Sequence, residues 1–255
     1  MTNQKNPREI DLMRAAGKIA AAARVEAGKL ITVGATTQSI DQKVHDFIVS
    51  QGAIPAFLGY NGYPASVCIS INEEVIHGIP SMRRLKEGDV VSIDVGAMKD
   101  GYIGDCAATF IAGTGSADSE RLIKITTECF YEGLRFARVG HRVSDISRAI
   151  QRHAENNGYS VVREYVGHGV GSKIHEPPEV PNFVERPRHK ADPRLLPGMT
   201  LAIEPMINFG KANIIVLDDK WTVVTADGQI SAHYENTVLI TQGDPEILTI
   251  CEDAT

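Results

Sequence analysis

With 255 residues, 43% of them apolar, the chain is long enough to bury a sizeable core in one large domain or two small ones. A net charge of −6, a pI near 5.8 and no run of Lys or Arg lack the electrostatic footprint of a nucleic-acid binder, so nucleic acid is not an expected substrate. No apolar run reaches membrane-spanning length and the polar N-terminus indicates no signal peptide, while Cys68, Cys106, Cys129 and Cys251 form no CxxC pair, which argues against a zinc-thiolate site and leads us to expect the cytoplasm, with no membrane partner.

Glu9 to about Leu30 is alanine-rich with Ile10, Met13, Ala16, Ile19 and Ala20 on one stripe, which predicts a helix. A second helix follows, with Thr37 as its N-cap, Ile40, Val44, Phe47 and Ile48 as its buried face and Gly52 as its stop. Val67 to Ile71, Val90 to Val95 and Tyr102 to Ile111 read as strands, the last two joined at Asp100-Gly101, a strong hairpin signal. The helix pair then recurs as Ser119 to Ala137 and Ser144 to Asn157, the latter with Ile146, Ile150 and Ala154 inward and Gly158 as its stop. Met199 to Ile207, Trp221 to Thr225 and Ala232 to Thr241 complete the strands. Helices outside a curved antiparallel sheet make an α+β fold, and no linker divides it.

The second half repeats the first. Leu85-Lys-Glu-Gly-Asp-Val-Val-Ser-Ile-Asp94 matches Leu195-Leu-Pro-Gly-Met-Thr-Leu-Ala-Ile-Glu204, with the glycine six residues before the acid and the leucine nine before it. Asp105 and Glu235 each open a β-like run and have a glycine eight residues on, at Gly113 and Gly243. Two insertions lengthen the second half: a loop from Pro181 to Pro197, and an excursion from Asn213 to Gln229 that reads as an extra hairpin turning at Asp218-Asp219. The expectation is a single catalytic domain over residues 1–255, built of two pseudo-repeats at approximately 7–115 and 117–250.

Four carboxylates at equivalent points of a duplicated framework face one another across its pseudo-twofold axis, where their repulsion is prohibitive unless cations sit between them. A two-residue turn at Asp100-Gly101 puts position 94 opposite 107 and 105 one diagonal step away on the same face. Exposed acids in strands are common, and neither aspartate alone marks a site. The repeat does, together with the apolar surroundings of Glu204 in Ala-Ile-Glu-Pro-Met. His168 and His175 lie in the glycine-rich Val-Gly-His-Gly-Val-Gly-Ser-Lys-Ile-His, and His77 in Asn-Glu-Glu-Val-Ile-His-Gly-Ile-Pro. His233 shares a strand face with Glu235 and is a candidate to support that carboxylate from behind, whereas His45, His141, His153 and His189 sit in helix-like or charged contexts and receive no role. One nitrogen and four carboxylates form a hard donor set suited to two divalent ions of the manganese, iron or cobalt type. Such a pair lowers the pKa of a water, polarises a carbonyl and binds a free amine, which describes amide hydrolysis.

The run Gly59-Tyr-Asn-Gly-Tyr-Pro-Ala-Ser-Val-Cys-Ile-Ser-Ile-Asn-Glu-Glu-Val-Ile-His-Gly-Ile-Pro80, the Asp94/Asp105 pair, Gly167-His-Gly-Val-Gly and Ile203-Glu-Pro-Met206 closely resemble type I methionine aminopeptidase, from about Pro7 to Leu248. The resemblance implies the duplicated pita-bread fold of the M24 metallopeptidases and removal of the initiator methionine from nascent chains and N-terminal Met peptides when the second residue is small. It implies that Asp94 chelates one metal, that Asp105 and Glu235 bridge both, and that His168 and Glu204 complete the other shell. Glu204 would be general base, His77 a proton donor or contact at the scissile nitrogen, and His175 the oxyanion partner. Fe2+, Mn2+ and Co2+ fit, with Zn2+ compatible, and a monovalent cation (Na+ or K+) would sit at main-chain oxygens around Asn72, Glu74 and Ser231.

Tyr60, Tyr63, Cys68 and Trp221 match the family's methionine pocket. Ile174 stands where a phenylalanine is usual and Phe57 where a cysteine is, so an aromatic has moved from one wall to another. Asn236 replaces a common histidine after the last ligand, which predicts altered surroundings for Glu235. The short interval from Glu204 to Glu235 leaves no room for the helical subdomain of type II enzymes, which implies a compact bacterial-type enzyme, a monomer with transient ribosome contact. Small Thr2 implies that the enzyme removes its own Met1, readable in the mature mass. Two rivals remain: an Xaa-Pro aminopeptidase or prolidase of the same fold, and a non-catalytic peptide-binding module built on it.

Overall fold

α1 (Pro7–Lys29) begins two residues before the expected start, because Asn6 caps it. The Asn6 carboxamide accepts from the Glu9 amide at 3.1 Å and the Glu9 carboxylate accepts from the Asn6 amide at 2.8 Å, with Pro7 where no amide hydrogen is needed. Met13, Ala16 and Ala20 are fully buried, as their stripe predicts. In the computed structural model the described residues are 4–184 and 192–251. Met1 and Thr2, and residues 185–191 of the Pro181 to Pro197 loop with His189 among them, lie outside them.

α2 (Thr37–Ser50) is capped by Thr36 rather than Thr37. The Thr36 hydroxyl accepts from the Ser39 amide at 3.2 Å, and the Thr37 hydroxyl is engaged by the Ser81 main chain instead. Ile40, Val44 and Ile48 are buried, and Gly52 takes φ +65° just past the helix. The first half continues as β1 (Ile54–Pro55), β2 (Val67–Ile71), β3 (Glu74–Ile76), β4 (Val90–Lys99) and β5 (Tyr102–Ile111). α3 (Ala117–Leu134) and α4 (Val143–Asn156) form the second helix pair, followed by β6 (Ser160–Val161), β7 (Gly167–Gly169) and β8 (Glu176–Val180). β9 (Thr200–Ile203), β10 (Met206–Asn208), β11 (Ile214–Val216), β12 (Val223–Thr225), β13 (Ser231–His233), β14 (Asn236–Leu239) and β15 (Glu246–Ile247) complete the chain.

Every strand pairing is antiparallel. β4 is flanked by β2, β5 and β1, while β15, β14, β9, β7 and β8 form a five-stranded sheet; β13-β10-β6 and β11-β12-β3 are smaller. The expected hairpin after Asn213 is β11-β12, with Val216 opposite Val223 across Asp218-Asp219. Two expected strands are not continuous. Met199 to Ile207 breaks at Glu204-Pro205, where proline has no amide hydrogen for a ladder, and Ala232 to Thr241 breaks at Tyr234-Glu235. One apolar core lies beneath α1 and α2 and a second beneath α3 and α4. α1 packs directly on β4 and β5, and a side chain at Gly104 would strike the Gly17 backbone at 2.5 Å. No helix among the described residues is long and apolar enough to cross a membrane.

Candidate active site

The β4-β5 hairpin places the first two acids. Asp100 and Gly101 both take positive φ, 49° and 81°, and the register sets Asp94 opposite Ala107 and Asp105 opposite Gly96. The side chains therefore lie on one face, a diagonal step apart, and Cys68 of β2, the partner of Asp94 on its other side, joins that face. Glu204 and Glu235 stand at the two strand breaks. The Glu235 amide donates to the Ala107 carbonyl at 2.9 Å, so the second-half acid is pinned to the strand that carries Asp105.

His168 is delivered by β7, squeezed between β8 and β9. Side chains at its neighbours Gly167 and Gly169 would meet the carbonyls of Ala202 and Pro177 at 2.4 and 2.6 Å, so glycine on both sides is a packing requirement. Nδ1 of His168 donates to the Gly169 carbonyl at 2.9 Å, which leaves Nε2 as the bare nitrogen. Nε2 lies 3.3 Å from Glu204 Oε1 and 3.9 Å from Asp105 Oδ2. Ligand atoms of Asp105, His168 and Glu235 all fall within 4.8 Å of one another.

This donor set fits divalent cations. Asp94 Oδ1, Asp105 Oδ1, Glu204 Oε1 and Glu235 Oε1 are buried without a hydrogen-bond partner, a cost the fold does not offset by itself. Burial lifts the Asp94 carboxyl to about 7. Burial holds Asp105, Glu204 and Glu235 well above the usual carboxylate range, and the charge of neighbouring acids adds to it. Burial also keeps the histidines neutral, His77 at about 4 and His168 at about 3, with His175 lowered too.

The carboxylates floor a cleft of about 240 Å3. Phe57, Tyr60, Tyr63, Cys68, Ile174 and Trp221 line its walls with His77 and His175, so the residues expected to hold divalent metal, substrate or the transferred proton are gathered in one place. The Tyr63 hydroxyl donates to the Gly78 carbonyl at 2.9 Å and its ring meets Trp221 edge-on at 5.1 Å. His77 takes φ +59° and its ring stands edge-on to Tyr165. At the mouth the Tyr60 hydroxyl lies 2.7 Å from His175 Nδ1, joining the two halves.

Asn61, Ile76, Tyr165 and Val166 also line the cleft and were not expected there. Tyr165 and Val166 directly precede Gly167-His168, and that adjacency is the sequence signal that could have found them. Phe57 and Ile174 share one apolar cluster, so the two positions contribute to a single wall. Asn236 does not face the carboxylates. Its Oδ1 accepts from Arg24 Nη1 at 3.1 Å and from the Thr249 hydroxyl at 2.9 Å, because the next residue along an extended chain points to the opposite face. Asn72, Glu74 and Ser231 lie outside the cleft, where the Ser231 amide donates to the Asn72 carbonyl at 2.9 Å.

Residues 11–242 match metallopeptidase family M24. A methionine aminopeptidase of Clostridium perfringens is 52% identical over 246 residues, covering 96% of this chain and 98% of the relative. The crystal structure of methionine aminopeptidase from Rickettsia prowazekii superimposes with a TM-score of 0.94 at 39% identity, over 98% of this chain and 100% of that one. Prolidase from Pyrococcus furiosus shares the fold alone, with a TM-score of 0.78 at 24% identity over 98% of this chain and 66% of its own. Likeness of this order, running through every strand that bears a candidate ligand, means that the chain belongs to metallopeptidase family M24 and, within it, to the methionine aminopeptidases.

Proposed function

We propose that this chain removes the N-terminal methionine from peptides and nascent chains whose second residue is small, and that it does so as one catalytic unit of two pseudo-repeats, about 7–115 and 117–250. The observation that carries the reading is the cluster of buried, unpartnered carboxylate oxygens at the floor of an apolar, sulfur-lined cleft. Asp94, Asp105, His168, Glu204 and Glu235 would hold two divalent ions. When bound, those ions supply Lewis acidity, acidifying a water and polarising the scissile carbonyl.

The rest of the chemistry belongs to side chains. Glu204 takes the proton of the attacking water and returns it toward the departing amine as the carbon–nitrogen bond breaks. His77, neutral and held by the edges of Tyr165 and Trp221, faces the scissile nitrogen. His175 donates Nε2–H to the developing oxyanion, which requires Nδ1 to be the acceptor, and the Tyr60 hydroxyl is placed to donate to it. Tyr60, Tyr63, Cys68, Phe57, Ile174 and Trp221 receive the methionine side chain, where shape and sulfur contact discriminate by about 1–3 kcal/mol per methylene.

An oxygen-rich set with one imidazole favours iron, manganese or cobalt over zinc. Main-chain oxygens around Asn72, Glu74 and Ser231 would hold a sodium or potassium ion. Three buried free cysteines and a fourth half-buried support a reducing cytoplasm, and the enzyme would act as a monomer with transient ribosome contact. The test is hydrolysis of Met-Ala-Ser, Met-Leu-Ser and Ala-Pro-Ser by metal-stripped protein titrated with Mn(II), Fe(II) or Co(II). Metal-dependent methionine release from the first peptide alone, lost in Glu204→Gln, is expected. Cleavage of Ala-Pro-Ser alone would assign the proline-specific chemistry instead, and inactivity with every metal a binding role.

A further inference from the structure

His233 ends β13 and is 2% exposed. Met206 of β10 stands opposite it. Its main chain is held on both sides by one hydroxyl: Thr109 Oγ1 accepts from the His233 amide at 2.9 Å and donates to its carbonyl at 2.8 Å. The ring is thus carried on a backbone with little freedom. Its Nε2 has no hydrogen-bond partner and lies 3.9 Å from Glu204 Oε2 and 3.9 Å from Glu235 Oε2. The residue is not part of the cleft lining, so it does not meet substrate.

An imidazole nitrogen removed from water without a partner costs the full desolvation of that atom. The geometry around Glu204 shows what it is for. Oε1 faces His168 Nε2 at 3.3 Å, on the side of the candidate ligands, whereas Oε2 faces His233. Glu235 turns its own Oε2 to the same nitrogen. One ring therefore stands between the outer oxygens of two carboxylates whose Oε1 atoms are left without partners.

We propose that His233 is a positioning residue of the metal centre: a neutral imidazole whose Nε2–H is shared by the outer oxygens of Glu204 and Glu235 and fixes both carboxylates for metal binding. The inference rests on the reading of those glutamates as ligands. At 3.9 Å the contact closes by a small rotation of either carboxylate or through one water. Ligating carboxylates need such an outer donor, since a carboxylate free to rotate must give up that freedom each time it binds an ion.

The test is calorimetric titration of the full-length, metal-free protein with Co(II), with the visible Co(II) spectrum at saturation and the thermal melt of the metal-free form. His233→Leu weakens Co(II) binding by roughly 10–100-fold, the scale of lost outer partners. His233→Phe, which keeps the ring volume, does the same and stands in should the leucine variant fold poorly. His233→Gln keeps an N–H of similar reach and restores affinity to within about threefold. The saturated leucine and phenylalanine variants keep the wild-type Co(II) band position, because the ligand set is unchanged. Wild-type-like affinity in both would overturn the proposal, and a shifted Co(II) band would overturn it in favour of direct ligation. Wild-type protein that binds no Co(II) would overturn the metal-centre reading itself, and this inference with it.

Discussion

Gly96 shows how one residue sets the shape of the methionine wall. It pairs with Asp105 across the β4-β5 ladder, and a methyl group there would stand 2.6 Å from the Phe57 ring and 3.0 Å from the Ala56 side chain. Phe57 therefore fits this wall only because position 96 has no side chain. Gly96→Ala should force the ring off its present seat at a cost of about 1–3 kcal/mol, the usual price of overpacking. Because Phe57 lines the cleft and the carboxylates do not move with it, the expected effect is a raised KM for Met-Ala-Ser with a smaller change in kcat. Adding Phe57→Leu in the same chain should recover most of the loss. An unchanged KM in the single variant would mean that the ring has slack elsewhere.

At the scale of elements, the strand breaks at Glu204-Pro205 and Tyr234-Glu235 matter most. β9 and β14 pair in one sheet and β10 and β13 in another, so both glutamates stand where two neighbouring strands cross together from sheet to sheet. Arg24 of α1 braces this crossing. Its Nη1 donates to the Glu235 carbonyl at 2.9 Å, to the Ala107 carbonyl at 3.3 Å and to Asn236 Oδ1 at 3.1 Å, and Nη2 reaches the Thr249 carbonyl at 3.4 Å. Arg24→Met keeps the apolar stem and removes the fork. Hydrogen bonds to a charged group are worth about 1.5–3 kcal/mol, so the melt of the variant should fall by a matching amount, and Lys should restore little because it has no fork. A melt within error of wild type would show the crossing to be held by its ladders alone. The helices, their ends to within about three residues, and the Asp94/Asp105 hairpin were legible in the sequence because each depends on neighbours in the chain. The breaks were not, beyond the hint of Pro205, because they are set by partners remote in the chain: Asn182 and Tyr234 at Glu204-Pro205, and Ala107 at Glu235. The repeat pointed to all four acids and strand spacing put His233 beside Glu235, while nothing local revealed that Asn236 faces Arg24 or that the His233 nitrogen is left without a partner.

Over the whole molecule, duplication brings two acids from each half to one buried point, so the metal-free fold carries a strain that varies with pH. Asp94 is raised to about 7, and Asp105, Glu204 and Glu235 well above the carboxylate range, by burial first. In the unfolded chain such groups titrate near ~4. A raised folded value means that the native form holds more protons, so stability is fully present below about 4 and is lost as pH rises through the folded values. The lowered histidines act in the opposite sense. Depressed to about 4 for His77 and about 3 for His168, they favour the fold increasingly as pH rises toward their unfolded value near ~6.5, and contribute nothing further above it. Between about pH 6.5 and 8 the carboxylates therefore act alone, ahead of the thiols, whose unfolded value is ~8.5. The melting temperature of the metal-free protein should fall across that interval. With saturating Mn(II) it should stay level or rise, since ions replace the protons that the native carboxylates otherwise need. Taking the difference between loaded and metal-free protein cancels every group remote from the site. A difference that does not widen with pH would mean that the four acids share their charge with something other than metal.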